Sequence, residues 1–160
     1  YNVPGRTGGN IEAKTTLALA QVPNIAAVKE ASGNLAQITD ILRERPAHFV
    51  VLSGDDELTL AVMAAGGDGV ISVVSNATPK PMARLTELAA SGDFGGAKDL
   101  HFTLLPWMRA AFVESNPIPV KAAMAMMGKL GNNLRLPLVP LADAHTDAVR
   151  AALRTAGALA

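Results

Sequence analysis

Short apolar runs that alternate with amphipathic helical patterns set the limits on how this chain can fold. The runs are Tyr1–Val3, Ile25–Lys29, Phe49–Ser53 and Gly69–Val74. Between them lie Ile11–Ala20, Leu35–Arg45 and Glu57–Ala65, and Lys80–Ala90 follows the last. In Leu35–Arg45 the residues Leu35, Ile38, Ile41 and Leu42 recur at helical spacing. Strands separated each time by one helix are the pattern of a parallel sheet with helical crossovers. The runs are apolar throughout rather than alternating, which predicts strands covered on both faces. Two architectures fit, a doubly wound sheet and a (β/α)8 barrel. No Gly-x-Gly-x-x-Gly follows any run, which counts against the dinucleotide-binding form of the first. In a barrel, the polar residues at strand C-termini converge on one site. Here those residues are Tyr1, Lys29, Ser53 and Ser72.

After Ala90 the alternation ends. Phe94–Val113, Ile118–Gly128 and Ala142–Ala156 read as three helices, joined across Pro117 and Pro119 and by the extended segment Arg135–Leu141. The coarse plan is therefore an α/β chain in which a βα array is followed by a helical C-terminal region, with both architectures of the array still open. The opening Tyr1-Asn2-Val3 runs straight into Pro4-Gly5-Arg6-Thr7-Gly8-Gly9. A chain that starts on the end of a strand is expected to be the C-terminal portion of something longer.

Composition excludes several classes. The chain carries 14 basic and 14 acidic residues, so no basic surface calls for nucleic acid or an anionic membrane. No apolar run reaches the length of a membrane span. Cysteine is absent, which removes disulfides and thiolate chemistry. His48, His101 and His145 lack metal-ligand spacing and read as surface or helix-end residues. No metal site is expected.

Lys29 is the residue that points to chemistry. It stands at the C-terminal end of an apolar strand, where burial of a cation is expensive, and a neutral amine there can attack a ketone to form a Schiff base. A lysine that snorkels to solvent or pairs with Glu30 fits the same position. Tyr1 offers a phenol able to relay protons, or plain packing. Arg6, in a Gly-flanked loop, suits a substrate carboxylate, or a loop salt bridge. Gly54 permits close approach of backbone to a ligand, and Asp55-Asp56 reads as a helix N-cap.

Taken together, Tyr1-Asn2-Val3-Pro4-Gly5-Arg6-Thr7-Gly8, Val28-Lys29-Glu30-Ala31-Ser32-Gly33-Asn34, Ser53-Gly54-Asp55-Asp56 and Gly69-Val70-Ile71-Ser72-Val73 resemble the dihydrodipicolinate synthase family, within the N-acetylneuraminate lyase superfamily. Glu114-Ser115-Asn116-Pro117-Ile118-Pro119-Val120-Lys121 and Arg135-Leu136-Pro137-Leu138 extend the resemblance along the chain in the right order. It matches the C-terminal half of such an enzyme, and implies that residues 1–92 are half of a (β/α)8 TIM barrel, four βα units holding strands five to eight, with 93–160 as the helical C-terminal region. The resemblance implies that Lys29 forms a Schiff base with pyruvate and that Tyr1 relays protons. It implies that Arg6 orients the carboxylate of the incoming L-aspartate semialdehyde, and that Gly54 and Ile71 lie against bound pyruvate. It further implies a cytoplasmic, homo-oligomeric (tetrameric) lyase of lysine and diaminopimelate biosynthesis that needs no cofactor. The Thr-Thr pair and second tyrosine of the family belong to an N-terminal half-barrel that this sequence does not contain, so these residues alone are expected to be inactive.

Three rivals remain at this stage. An N-acetylneuraminate lyase or a 2-keto-3-deoxy sugar-acid aldolase would share the lysine, although Arg6 after Pro4-Gly5 and the Ser53–Asp56 segment favour the synthase. A non-catalytic βα scaffold would have no reason to hold both Lys29 and Tyr1. A dehydrogenase lacks its glycine fingerprint.

Overall fold

A computed structural model describes residues Tyr1 to Ala160. Three strands, β1 (Ala27–Glu30), β2 (Val50–Ser53) and β3 (Gly69–Val70), form a parallel sheet in the order β1-β2-β3. The first apolar run adds one parallel bridge, Asn2 to Glu30, rather than a strand. It is held by Asn2 N–H on the Lys29 carbonyl at 3.0 Å and by Ala31 N–H on the Asn2 carbonyl at 2.8 Å. The fourth run is shorter than expected. Pairing ends where β2 ends, with Ile71 N–H on the Ser53 carbonyl at 2.9 Å, and Val74–Asn76 winds into a 3₁₀ turn. Pro4-Gly5-Arg6-Thr7, expected as loop, makes one helical turn, α1 (Pro4–Thr7). Gly8 closes it at φ 74°, a left-handed conformation suited to glycine.

The remaining helices are α2 (Ala13–Leu19), α3 (Leu35–Glu44), α4 (Thr59–Ala64), α5 (Pro79–Ala90), α6 (Phe94–Ala110), α7 (Ile118–Met126) and α8 (Asp143–Thr155). None is long and apolar enough to cross a membrane. The chain divides into two compact units, Tyr1–Ser72 with Thr86–Phe94, and Val73–Leu85 with Gly95–Ala160.

In the first unit, the register aligns Ala27 with Val50, Val28 with Val51, Lys29 with Leu52 and Glu30 with Ser53. Side chains alternate across a strand, so this register sorts them by face. Val28 and Val51 enter a core with Ala20, Ile38, Ile41, Phe49 and Val62, drawn from α2, α3, α4 and their flanks. Each such side chain contributes about 1.5 to 3 kcal/mol by burial. Ala27 and Val50 are exposed on the opposite face, and Lys29 and Leu52 are half-buried there. One face of the sheet is thus covered by helices and the other is open, whereas cover on both faces was expected. The register also separates Ser53 from Lys29. Ser53 is buried on the helix side, where its Oγ donates to the Asp55 carbonyl at 2.8 Å, so it does not join a strand-end constellation.

α3 starts at the capping residue Asn34, whose Oδ1 accepts from Gln37 N–H at 3.1 Å. It ends at Arg45, whose guanidinium pairs with Asp68 and donates to the Phe49 and Gly66 carbonyls at 2.9 and 3.0 Å. α4 starts at Thr59 behind Leu58, without a side-chain cap. Asp55 and Asp56 precede it in a turn and do not supply the expected N-cap.

In the second unit, α7 and α8 pack on each other and α7 meets the 3₁₀ turn. The Trp107 ring of α6 is fully buried, and its indole N–H donates to the Val74 carbonyl at 3.3 Å. His101 is buried within α6, against the expectation of a surface position. It lies on the same helix face as Leu104 and Met108, one and two turns on.

Asp68 ties the end of α3 to the sheet, because its Oδ2 also accepts from Val51 N–H at 2.7 Å. Partial burial works to raise its pKa, but the Arg45 guanidinium and the Val51 N–H outweigh burial and hold it below the ordinary value of 3.8. A carboxyl with a lowered folded pKa adds stability that is present above its unfolded pKa and is lost as pH falls through the folded one. Asp68→Asn is therefore expected to lower stability at neutral pH by about 1 to 2 kcal/mol. It should also flatten the fall in stability below pH 4. Urea unfolding at neutral and acidic pH checks both, and an unchanged acid profile would refute the assignment.

Candidate active site

The open face of the sheet gathers the residues singled out from the sequence. Alternation places Lys29 of β1, Gly54 just past β2 and Ile71 just past β3 on this face, with Tyr1 beside them on the bridged segment. The Lys29 Nζ lies 4.2 Å from the centroid of the Tyr1 ring, a cation–π contact. Lys29 is half-buried, while Tyr1 is 59% and Ile71 45% exposed. A half-buried lysine amine beside a phenol is the kind of group that can act as a nucleophile toward a small carbonyl compound.

Gly54 explains itself by distance. A Cβ on it would lie 2.6 Å from the Ala31 Cβ, 3.1 Å from the Glu30 carbonyl oxygen and 3.2 Å from the Lys29 Cε. Its N–H donates to the Glu30 carbonyl at 2.7 Å. Glycine lets this backbone close on the lysine stem. Tyr1, Lys29 and Gly54 come together, whereas Arg6 lies on α1, exposed to solvent and five residues along the chain from Tyr1.

The electrostatics are acidic. Burial raises the Asp55 carboxyl above its ordinary range, and the charges of Asp56, Glu30 and Glu57 raise it further, against the lowering effect of Lys29. Asp55 thus feels the amine of Lys29. Its backbone N–H is fixed by the Ser53 Oγ at 3.3 Å.

Glu30 does not pair with Lys29. It points to the helix side, is 1% exposed, and accepts from Asn2 Nδ2 at 3.0 and 3.1 Å, Ser32 N–H at 2.9 Å and Gln37 Nε2 at 3.4 Å. Asn10 joins this cluster, with its Nδ2 on the Gln37 Oε1 at 2.8 Å and its Oδ1 accepting from Asn2 at 2.9 Å. Sequence reasoning passed over Asn2, Asn10 and Gln37. The signal was present: Glu30 adjoins Lys29 in an otherwise apolar strand, and period two puts it on the buried face.

Known proteins match this chain over most of its length. Residues 1–156 match the dihydrodipicolinate synthetase family. The 4-hydroxy-tetrahydrodipicolinate synthase of Koribacter versatilis is 54% identical over 141 residues, 88% of this chain and 47% of that protein. That of Moorella thermoacetica is 49% identical over 159 residues, 99% of this chain and 54% of that protein. Among solved structures, dihydrodipicolinate synthase from Thermotoga maritima superposes with a TM-score of 0.97 at 44% identity, covering 99% of this chain and 55% of that one. The chloride-inhibited enzyme from Acinetobacter baumannii, complexed with pyruvate, gives 0.96 at 40% identity over 99% and 55%. The chain spans about half the length of the curated relatives it matches. A sequence match over nearly every residue, with a backbone match of the same extent, places this chain in the dihydrodipicolinate synthetase family.

Proposed function

We propose that this chain provides the imine-forming part of a synthase that joins pyruvate to L-aspartate semialdehyde, giving 4-hydroxy-tetrahydrodipicolinate in lysine biosynthesis. The observation that carries the reading is the Lys29 amine held over the Tyr1 ring on the open sheet face. The Lys29 amine adds to the pyruvate ketone, and the carbinolamine loses water to give a protonated imine, with the Tyr1 phenol moving the protons. Loss of a methyl proton gives the enamine. Its carbon forms the new bond to the aldehyde carbon, and the aldehyde oxygen takes up a proton to become the hydroxyl. The amino group of the second substrate then adds to the imine carbon, closes the ring and expels the Lys29 amine, so that the lysine is regenerated and one water has been released. Gly54 and Ile71 line the pyruvate side, and Arg6 receives the aldehyde's carboxylate.

The same reading takes the sheet as strands five to eight of a (β/α)8 barrel, with residues 93–160 as its C-terminal helices. The face bearing Ala27, Lys29, Val50 and Leu52 would then turn toward the other barrel strands. The working assembly would be a cytoplasmic homo-oligomer. Pairing with an N-terminal half-barrel is expected to confer synthase activity that the 160 residues lack by themselves. Co-expression with the N-terminal half of the Moorella relative checks this, and a fully active monomer of the 160 residues would sink it.

In that pairing, pyruvate with borohydride should leave a stable adduct on Lys29, located by mass spectrometry of peptides. Lys29→Arg should abolish it, because a guanidinium stays protonated and cannot form the imine. An adduct on Lys80 or Lys121 would refute the assignment. Arg6→Ala should leave trapping of pyruvate intact while slowing turnover of the aldehyde by roughly one to two decades, the loss of a charge-assisted contact of about 1.5 to 3 kcal/mol. Equal loss of both steps would make Arg6 structural.

A further inference from the structure

We propose that Glu30 and Asn2 are a positioning pair, a buried clamp that fixes the Tyr1 phenol over the Lys29 amine from the opposite face of the sheet. The inference rests on the reading of Lys29 as the imine-forming residue and assigns a role to Glu30, a buried carboxylate which that chemistry does not use.

Tyr1 is 59% exposed, so packing does not hold its ring. Its position follows from Asn2, its neighbour in the chain, which is 1% exposed. The Asn2 backbone is pinned between Lys29 and Ala31 by bonds of 3.0 and 2.8 Å. Its side chain is engaged at both ends: Oδ1 accepts from Ile11 N–H at 3.0 Å, and Nδ2 donates to both oxygens of Glu30 and to the Asn10 Oδ1 at 2.9 Å. Glu30 in turn follows Lys29 directly and is paired in register with Ser53. The clamp therefore joins the two segments that carry the reacting amine and the phenol, one residue from each.

The chemistry of the cluster selects glutamate. The donors facing residue 30 are Asn2 Nδ2, Ser32 N–H and Gln37 Nε2. An ionised carboxylate is acceptor-only and satisfies them all, whereas glutamine would turn an N–H toward another N–H. Burying a carboxylate among neutral donors is expensive, and Val28 and Val51 show that an apolar side chain suits this face. What the carboxylate adds is direction: its bonds fix Asn2, and Asn2 fixes Tyr1.

The test reads Lys29 directly. An amine 4.2 Å from a ring centroid carries ε-methylene protons shifted upfield by the ring current. In the isotopically labelled 160-residue chain that shift is expected, and Tyr1→Leu should abolish it. Asn2→Ser and Glu30→Gln should abolish most of it while the amide spectrum of the core stays dispersed, which a loss of stability alone would not do. Should Glu30→Gln fail to fold, Asn2→Ser carries the same test, since it keeps the backbone bridge. An upfield shift that persists in a folded Asn2→Ser chain overturns the proposal. In the chain paired with the Moorella N-terminal half, Asn2→Ser should slow borohydride trapping of pyruvate by about 10- to 100-fold. It should add nothing further in a Tyr1→Phe background. Additive slowing overturns the positioning role. Absence of any adduct at Lys29 in the otherwise unchanged pair sinks the imine reading instead, and the resonance reports on the clamp independently of it.

Discussion

The two-residue period of the β-strand governs this molecule, because three short parallel segments must each send one side chain to a core and the next to a site. A slip of one residue in β1 would bury Lys29 and expose Val28 and Glu30 on the open face. The register is held against that slip from both sides. Val28 and Val51 gain by burial among Ile38, Ile41 and Phe49, and Glu30 is satisfied only where Asn2, Ser32 and Gln37 converge. Apolar burial sets which face is inside, and the carboxylate's donors set which residue stands at which height. The second specification is the sharper, since donors tolerate displacements of a few tenths of an ångström at most.

Close backbone approach is the second element of the design. The chain leaves β2 through Gly54 against the Lys29 stem, and the distances of 2.6 and 3.2 Å to a hypothetical Cβ leave no room for any other residue without displacing Ala31 or the lysine. Directly after it comes Asp55, whose carboxyl is raised above its ordinary range by its own burial and by the charges of Asp56, Glu30 and Glu57, against the lowering effect of Lys29.

Much of this was legible because its physical cause is local. α3 was expected over Leu35–Arg45 and spans Leu35–Glu44, since its apolar spacing is written in neighbouring residues. The parallel order of the segments followed from the helix between each pair. What was not legible depends on partners distant in the chain. Tyr1–Val3 and Gly69–Val74 have strand composition, but the first turns into α1 at Pro4 after a single bridge and the second pairs only until β2 ends at Ser53. The turn at Pro4–Thr7 was hidden by its Pro and Gly, which suit both a loop and a first helical turn. Lys29 stood out by its residue type at a strand end. Gly54 was read as a place where backbone can approach closely, though only the structure gives the distances, and Ile71 entered through the family resemblance alone. The alternative of a Lys29–Glu30 pair falls because neighbours on a strand point to opposite faces.

On the barrel reading, the open sheet face acquires a consequence for how activity and folding are joined. Ala27 and Val50 are exposed there and Leu52 is half-covered, in the same surface that carries Lys29. Parallel sheets are stable with both faces covered, so the elements that shelter those apolar groups are the same elements that would wall the amine from water. Shelter changes the chemistry as well as the stability: an imine is lost to hydrolysis in bulk water and persists in a dry site, and the pull of Asp55 on the amine strengthens as the effective dielectric falls. The aromatic contact to Tyr1 strengthens in the same way. The residues that make this face sticky and those that make it reactive are interleaved along one strand, so the event that completes the fold is also the one that prepares the lysine.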